Sequence, residues 1–290
     1  MKNYKSTIYV LLAGILWGII SIFVRHLSAI GFSSFSILTL RSVFAVLIMS
    51  IFFLVTDKSL FKIKIRDVWY FLGTGILSLT FFSFCYFTTI LSSGAAIAVV
   101  LLYTSPIFVL ILSAILFKEK ITGKKIVALV FTFVGCVLVA GLVSKGNSLS
   151  ITSLLIGLGA GFGYALYSIF SRLALKKYKP LTITFYTFVF SGISTLPFLR
   201  YADIQKMAEP SVWFYVLGIA LVCTVLPYIF YTYGLSKMET SKAAIIVTIE
   251  PLVGCLLGIF AWGEPISFQK ILGIVLIFVS IVILNFSKKA

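Results

Sequence analysis

Apolar residues in this chain come in long runs, each about one bilayer crossing in length and separated from the next by a short polar connection. A helix needs roughly 17–25 such residues to cross ~30 Å of hydrocarbon. Five runs occupy residues 8–24, 33–55, 68–91, 95–117 and 126–143. Five more occupy 152–175, 181–199, 212–235, 243–262 and 271–286. Helices suit them, because an open sheet in lipid would leave backbone polar groups without partners. The connections force neighbouring helices into antiparallel hairpins, and none could house a soluble domain. The pattern predicts an all-α integral membrane protein of ten transmembrane helices.

The ten runs also read as one unit of five written twice. Pro106 and Pro251 stand 145 residues apart, half of the 290-residue chain, and so do Glu119 and Glu264. Ser-Ile-Phe-x-Arg begins at Ser21 and again at Ser168, an offset of 147. The expected units are residues 1–145 and 146–290. Five is odd, so the second copy enters the bilayer from the side opposite to the first. Parallel sequence repeats then become inverted structural repeats, an architecture with two near-equivalent packings, one open to each side. Small-residue pairs at a spacing of four, Gly14/Gly18, Gly157/Gly161, Gly159/Gly163 and Gly254/Gly258, predict close helix–helix contact.

Composition confirms the class: 61% hydrophobic and 11% charged residues leave too little polar surface for water. Of the 24 Lys and Arg residues, eighteen fall on one side of the ten-helix thread, including Lys2, Lys5, Lys58 to Arg66, Lys118 to Lys125, Arg172 to Lys179, Lys288 and Lys289. Arg25, Lys145, Arg200, Lys206 and Lys270 fall on the other, and Arg41 lies within a run. By the positive-inside rule the richer side, with both termini, is cytoplasmic, in the inner or plasma membrane. This asymmetry explains the net charge of +16 without a nucleic-acid partner. The first run has no small-residue cleavage site and reads as a retained helix. Cys85, Cys136, Cys223 and Cys255 lie within apolar runs with no metal or disulfide spacing. No cofactor is implied.

Two charges fall inside the runs. Glu250 lies seven residues into the ninth, ~10 Å deep, beside a helix-breaking proline. A charge there costs at least a few kcal/mol, so it should face a watery cavity, find a partner or carry a proton. Arg41, in the second run, could pair with Glu250, bind a substrate carboxylate, or reach back to the interface. Pro106 and Pro251 each remove a helical hydrogen bond and mark candidate hinges. Trp17, Tyr86, Tyr103, Tyr164, Tyr167, Tyr228 and Tyr231 carry polar atoms at mid-span depth, and these want partners. Glu119 and Glu264 sit at helix ends near water, where they would fix the following loops, and His26 reads as a surface residue.

Leu16-Trp17-Gly18, Arg41, residues 95–106 running on to Glu119, Tyr164 to Tyr167, residues 243–251 and Gly263-Glu264 together resemble the EamA-type branch of the drug/metabolite transporter superfamily. The resemblance spans the chain. It implies a duplicated five-helix unit and secondary transport of small solutes, often export of amino acids, related metabolites or drugs. It also implies a cavity lined by helices one, three, four, six, eight and nine, which carry Trp17, Tyr86, Tyr103, Tyr164, Tyr231 and Glu250. Arg41 lacks a basic counterpart in the seventh run. The expected function is a secondary transporter of small metabolites working by alternating access, with a small-molecule substrate, the lipid bilayer and candidate coupling protons as partners. A multidrug or cationic-amine exporter is the alternative. A membrane enzyme is disfavoured because the single histidine and the three aspartates, Asp57, Asp67 and Asp203, do not cluster in sequence. No phosphate-binding loop of a primary pump is present.

Overall fold

The computed structural model describes residues 4–141 and 150–285. All regular structure among these residues is helical. Eight helices are long and apolar enough to cross a membrane: α1 (Tyr4–Ala29), α2 (Ser34–Thr56), α3 (Ile65–Ser93), α4 (Ala95–Phe117), α6 (Ile151–Ala174), α7 (Pro180–Phe198), α8 (Pro210–Leu235) and α9 (Thr240–Trp262). Two shorter ones, α5 (Gly123–Val139) and α10 (Phe268–Asn285), complete the ten expected crossings. The expected ends of the fifth and tenth runs, Lys2, Lys145, Lys288, Lys289 and the boundary at 145/146 lie outside the described residues. Local chemistry sets the helix starts. Ser33, Thr122 and Ser150 accept backbone N–H bonds as N-caps, and Pro180 and Pro210 open α7 and α8 where no N–H is needed.

Equivalent helices of the two halves meet antiparallel. Thr132 donates to Ser280 at 2.8 Å, while a Cβ on Gly135, one turn along α5, would touch the Gly273 carbonyl, farther back on α10. On α2, Ser36, Thr39 and Ser42 meet Arg200, Thr195 and Ser191 in turn, so advancing along one helix retreats along the other. The remaining packing obeys the same exchange: α1 lies on α8 as α3 lies on α6, and α9 lies on α1 as α4 lies on α6.

Both proline helices are broken as expected. α4 is interrupted by a turn at Tyr103 and Thr104 and resumes at Ser105 with Pro106 in its first turn. α9 tightens to a 3₁₀ turn over Val247–Ile249 and resumes at Glu250 with Pro251. Glycines make room for the breaks. A Cβ on Gly161 would stand 2.7 Å from the Leu101 carbonyl on α4, and one on Gly14 2.7 Å from the Val247 carbonyl on α9. α8 widens into π-type turns over Leu221–Val225, just before Pro227. α3 does likewise over Gly73–Thr80 without a proline. In each, a threonine hydroxyl bonds a carbonyl five residues back, Thr80 to Gly75 and Thr224 to Ile219.

Candidate functional site

A cavity of about 340 Å³ lies between the halves. Its walls come from the C-terminal part of α1 (Trp17, Ser21), the start of α2 (Ser34, Leu38, Arg41), the end of α3 (Phe82, Ser83, Tyr86, Ile90), Leu102 of α4, and Tyr164, Tyr228 and Glu250 at the middles of α6, α8 and α9. α2 is the correction to the implied lining, and it brings Arg41 into the wall. These segments lie toward the face opposite the lysine-rich loops, so the cavity sits nearer that face. Toward the lysine-rich face the space narrows to a void of about 20 Å³ beneath Tyr167 and Tyr231.

Five of the seven expected binding residues share this wall: Glu250, Trp17, Tyr86, Tyr164 and Arg41. Tyr231 lines only the smaller void, because its hydroxyl is drawn to Ser168 at 2.6 Å. Tyr103 is not in the cavity wall and packs in an apolar cluster with Cys136, Ile277 and Ile281, at the turn that breaks α4. The Tyr164 hydroxyl donates to Glu250 Oε2 at 3.3 Å. Trp17 packs edge-on to Tyr228 at 4.9 Å, and Phe82 edge-on to Tyr164 at 5.4 Å. Arg41 does not return to the interface. Its Nε is buried without a hydrogen-bond partner, and among the described residues no ion pair joins it to Glu250. Ser21 Oγ is likewise buried and unpartnered. Sequence reasoning did not single out Ser21, Phe82 or Ser83 as lining residues. For Ser21 a signal existed, since it opens the repeated Ser-Ile-Phe-x-Arg.

The lysine-rich face is tied shut. Between α6 and α8, Tyr167 meets Thr232 at 2.7 Å, and Arg172 donates to the carbonyls of Leu235 (2.8 Å) and Met238 (3.3 Å). Asp67 accepts from Lys177 and Tyr178 across the halves. Glu119 corrects its expected place at a watery helix end. Its side chain is 8% exposed and accepts from the Thr240 and Ser241 N–H groups and the Ser241 hydroxyl at the start of α9. Burial pushes this carboxyl up, but the bonds from Ser241 and Thr240 outweigh it and hold it below its ordinary value. His26 stacks on Tyr215 near the C-terminal end of α1 and is not in the cavity wall.

The EamA-like transporter family matches twice, over residues 5–141 and 151–286. The chain belongs to that family. The two matched stretches coincide with the two five-helix halves. An uncharacterized transporter of Archaeoglobus fulgidus is 29% identical over 94% of both chains. The uncharacterized inner membrane transporter YicL of Salmonella typhimurium is 25% identical over 98% of this chain and 96% of its own. One solved crystal structure superimposes with a TM-score of 0.82 over 97% of this chain and 96% of the other. At 15% identity that likeness is one of fold. The EamA-like chain is thus a multi-pass membrane transporter for small molecules, and transport rather than catalysis is its class.

Proposed function

We propose that this transporter moves small metabolites bearing both a carboxylate and an amine, amino acids and their relatives, by alternating access between two inverted five-helix halves. The observation that carries the reading is the placement of Arg41 and Glu250 in one mid-membrane cavity without an ion pair between them. A cation and an anion held apart in low dielectric are each costly, and a zwitterion spanning them would neutralise both. The unpartnered Arg41 Nε supports a carboxylate at that end. The antiparallel meeting of α5 with α10 and of α2 with α7 supports the inverted relationship. The lysine-rich face is read as cytoplasmic and the membrane as the inner or plasma membrane. Export, with protons carried on Glu250 as the coupling ion, fits a cavity presented to the far side after release.

Proteoliposome uptake of radiolabelled amino acids at two pH values tests this. Glu250→Gln should abolish the pH dependence and Arg41→Gln should abolish saturable uptake. Unchanged, pH-dependent uptake by Glu250→Gln would sink the coupling role.

A second reading is favoured by the aromatic rings around the carboxylate. Trp17, Tyr86, Tyr164 and Tyr228 could hold a cationic amine over their faces, with Glu250 as its charge partner. Amines would then compete for uptake and carboxylate-bearing solutes would not.

A further inference from the structure

The repeated Ser-Ile-Phe-x-Arg and the paired glutamates stand outside the substrate-binding reading, yet three contacts that close the lysine-rich face use them. Ser168 bonds Tyr231, Arg172 donates to the Leu235 and Met238 carbonyls, and Glu119 caps the start of α9 at Thr240 and Ser241. The offset of 147 for α1 and α6, and of 145 for the others, converts these into a second set at the opposite face. In it, Ser21 faces Tyr86, Arg25 faces the carbonyls of Ile90 and Ser93, and Glu264 faces the N–H groups of Ala95 and Ala96.

None of this second set is engaged, and each member is poised. Ser21 Oγ is buried without a partner in the cavity wall that also holds Tyr86 and Ile90. Arg25 lies over the Trp262 ring at 4.2 Å and reaches Glu264 only at 3.9 Å. Glu264 is 41% exposed and held by Lys270 at 3.0 Å, the counterpart of Lys125 beside Glu119. The start of α4 carries no side-chain cap, so its first N–H groups lack the carboxylate that α9 has. The backbone that presents each glutamate is nonetheless the same. Lys118 and Gly263 both adopt left-handed φ, 56° and 65°, and the following N–H groups close on Ser113 and Gly258.

We infer that these are two interchangeable latches. When the lysine-rich face opens, Ser21 bonds Tyr86, Arg25 caps the end of α3 and Glu264 caps the start of α4, while Ser168, Arg172 and Glu119 let go. The inference rests on the alternating-access reading above. It assigns roles to Ser21, Arg25 and Glu264 that their present contacts do not show.

Distances between nitroxide labels in nanodiscs test it. One pair stands at Ser93 and Pro265, the other at Lys120 and Lys237. The four native cysteines are buried and leave the labels to the introduced ones. Arg172→Gln, or Glu119→Gln should the first fold poorly, is expected to raise the population with a short Ser93–Pro265 distance about tenfold, the size of one lost charge-assisted bond. The Lys120–Lys237 distance should lengthen in step. Adding Arg25→Gln or Glu264→Gln should reverse that gain. A gain that neither second change reverses overturns the latches and leaves alternating access standing. Distances that stay fixed in every variant overturn both.

Discussion

The Tyr164 hydroxyl donates to the Glu250 carboxylate at 3.3 Å, joining the middle of α6 to the residue where α9 resumes after its break. The α1 residue that corresponds to Tyr164 at the offset of 147 is Trp17, which has no hydroxyl to offer. Among the described residues, the Tyr164 hydroxyl supplies the side-chain hydrogen bond that this carboxylate receives. Tyr164→Phe should raise the apparent KM about 10- to 100-fold, the worth of one hydrogen bond to a charged group, with a smaller change in maximal rate. Uptake kinetics in proteoliposomes check this, and an unaltered KM would separate Tyr164 from the site.

Gly14 and Gly161 sit where α1 and α6 cross the broken helices. Gly161→Val should lower stability by about 1–3 kcal/mol through overpacking against the Leu101 carbonyl and should abolish transport. Gly123→Ala is the control, since nothing lies within 4 Å of the added methyl. Thermal unfolding in detergent distinguishes the two. Equal melting points would mean that the helices part easily.

Asp203, in the short helix Tyr201–Lys206, is buried and would be pushed up. Lys206, the Ser36 hydroxyl and the Ser33 N–H outweigh this and hold it down at about 2, against an ordinary 3.8. A depressed carboxyl contributes stability above its unfolded value and loses it as pH falls through the folded one. Melting temperature should accordingly decline between about 3.8 and about 2, more steeply in the parent than in Asp203→Asn. Parallel acid profiles would show that Asp203 is not the group responsible.

Thr132 and Ser280 offer a test of polar contact inside the bilayer. A double-mutant cycle with Thr132→Val and Ser280→Ala should return a coupling of about 0.6 kcal/mol, the average for such bonds in lipid. A value near zero would assign the α5–α10 pairing to packing around Gly135 and Gly273 alone.

The ten crossings were legible because span length and hydropathy are one-dimensional signals, and the matched prolines foretold both helix breaks. Arg41 was harder. Whether a guanidinium faces lipid, a neighbour or a cavity depends on helix rotation, which a uniformly apolar helix does not encode. Tyr103 poses a related difficulty, since at the turn that breaks α4 it packs with Cys136 and Ile277 while the neighbouring Leu102 lines the cavity. The π-type widening of α3 left no mark at all, because neither proline nor charge accompanies it. Glu119 read as watery since its capped partner, Thr240, is 121 residues distant.

Among the described residues, α5 and α10 contribute nothing to the cavity wall and pack against each other. Cargo choice and mechanical anchoring are thereby written in separate parts of the chain. Chimaeras that borrow this helix pair from a relative should keep the recipient's appetite for solute.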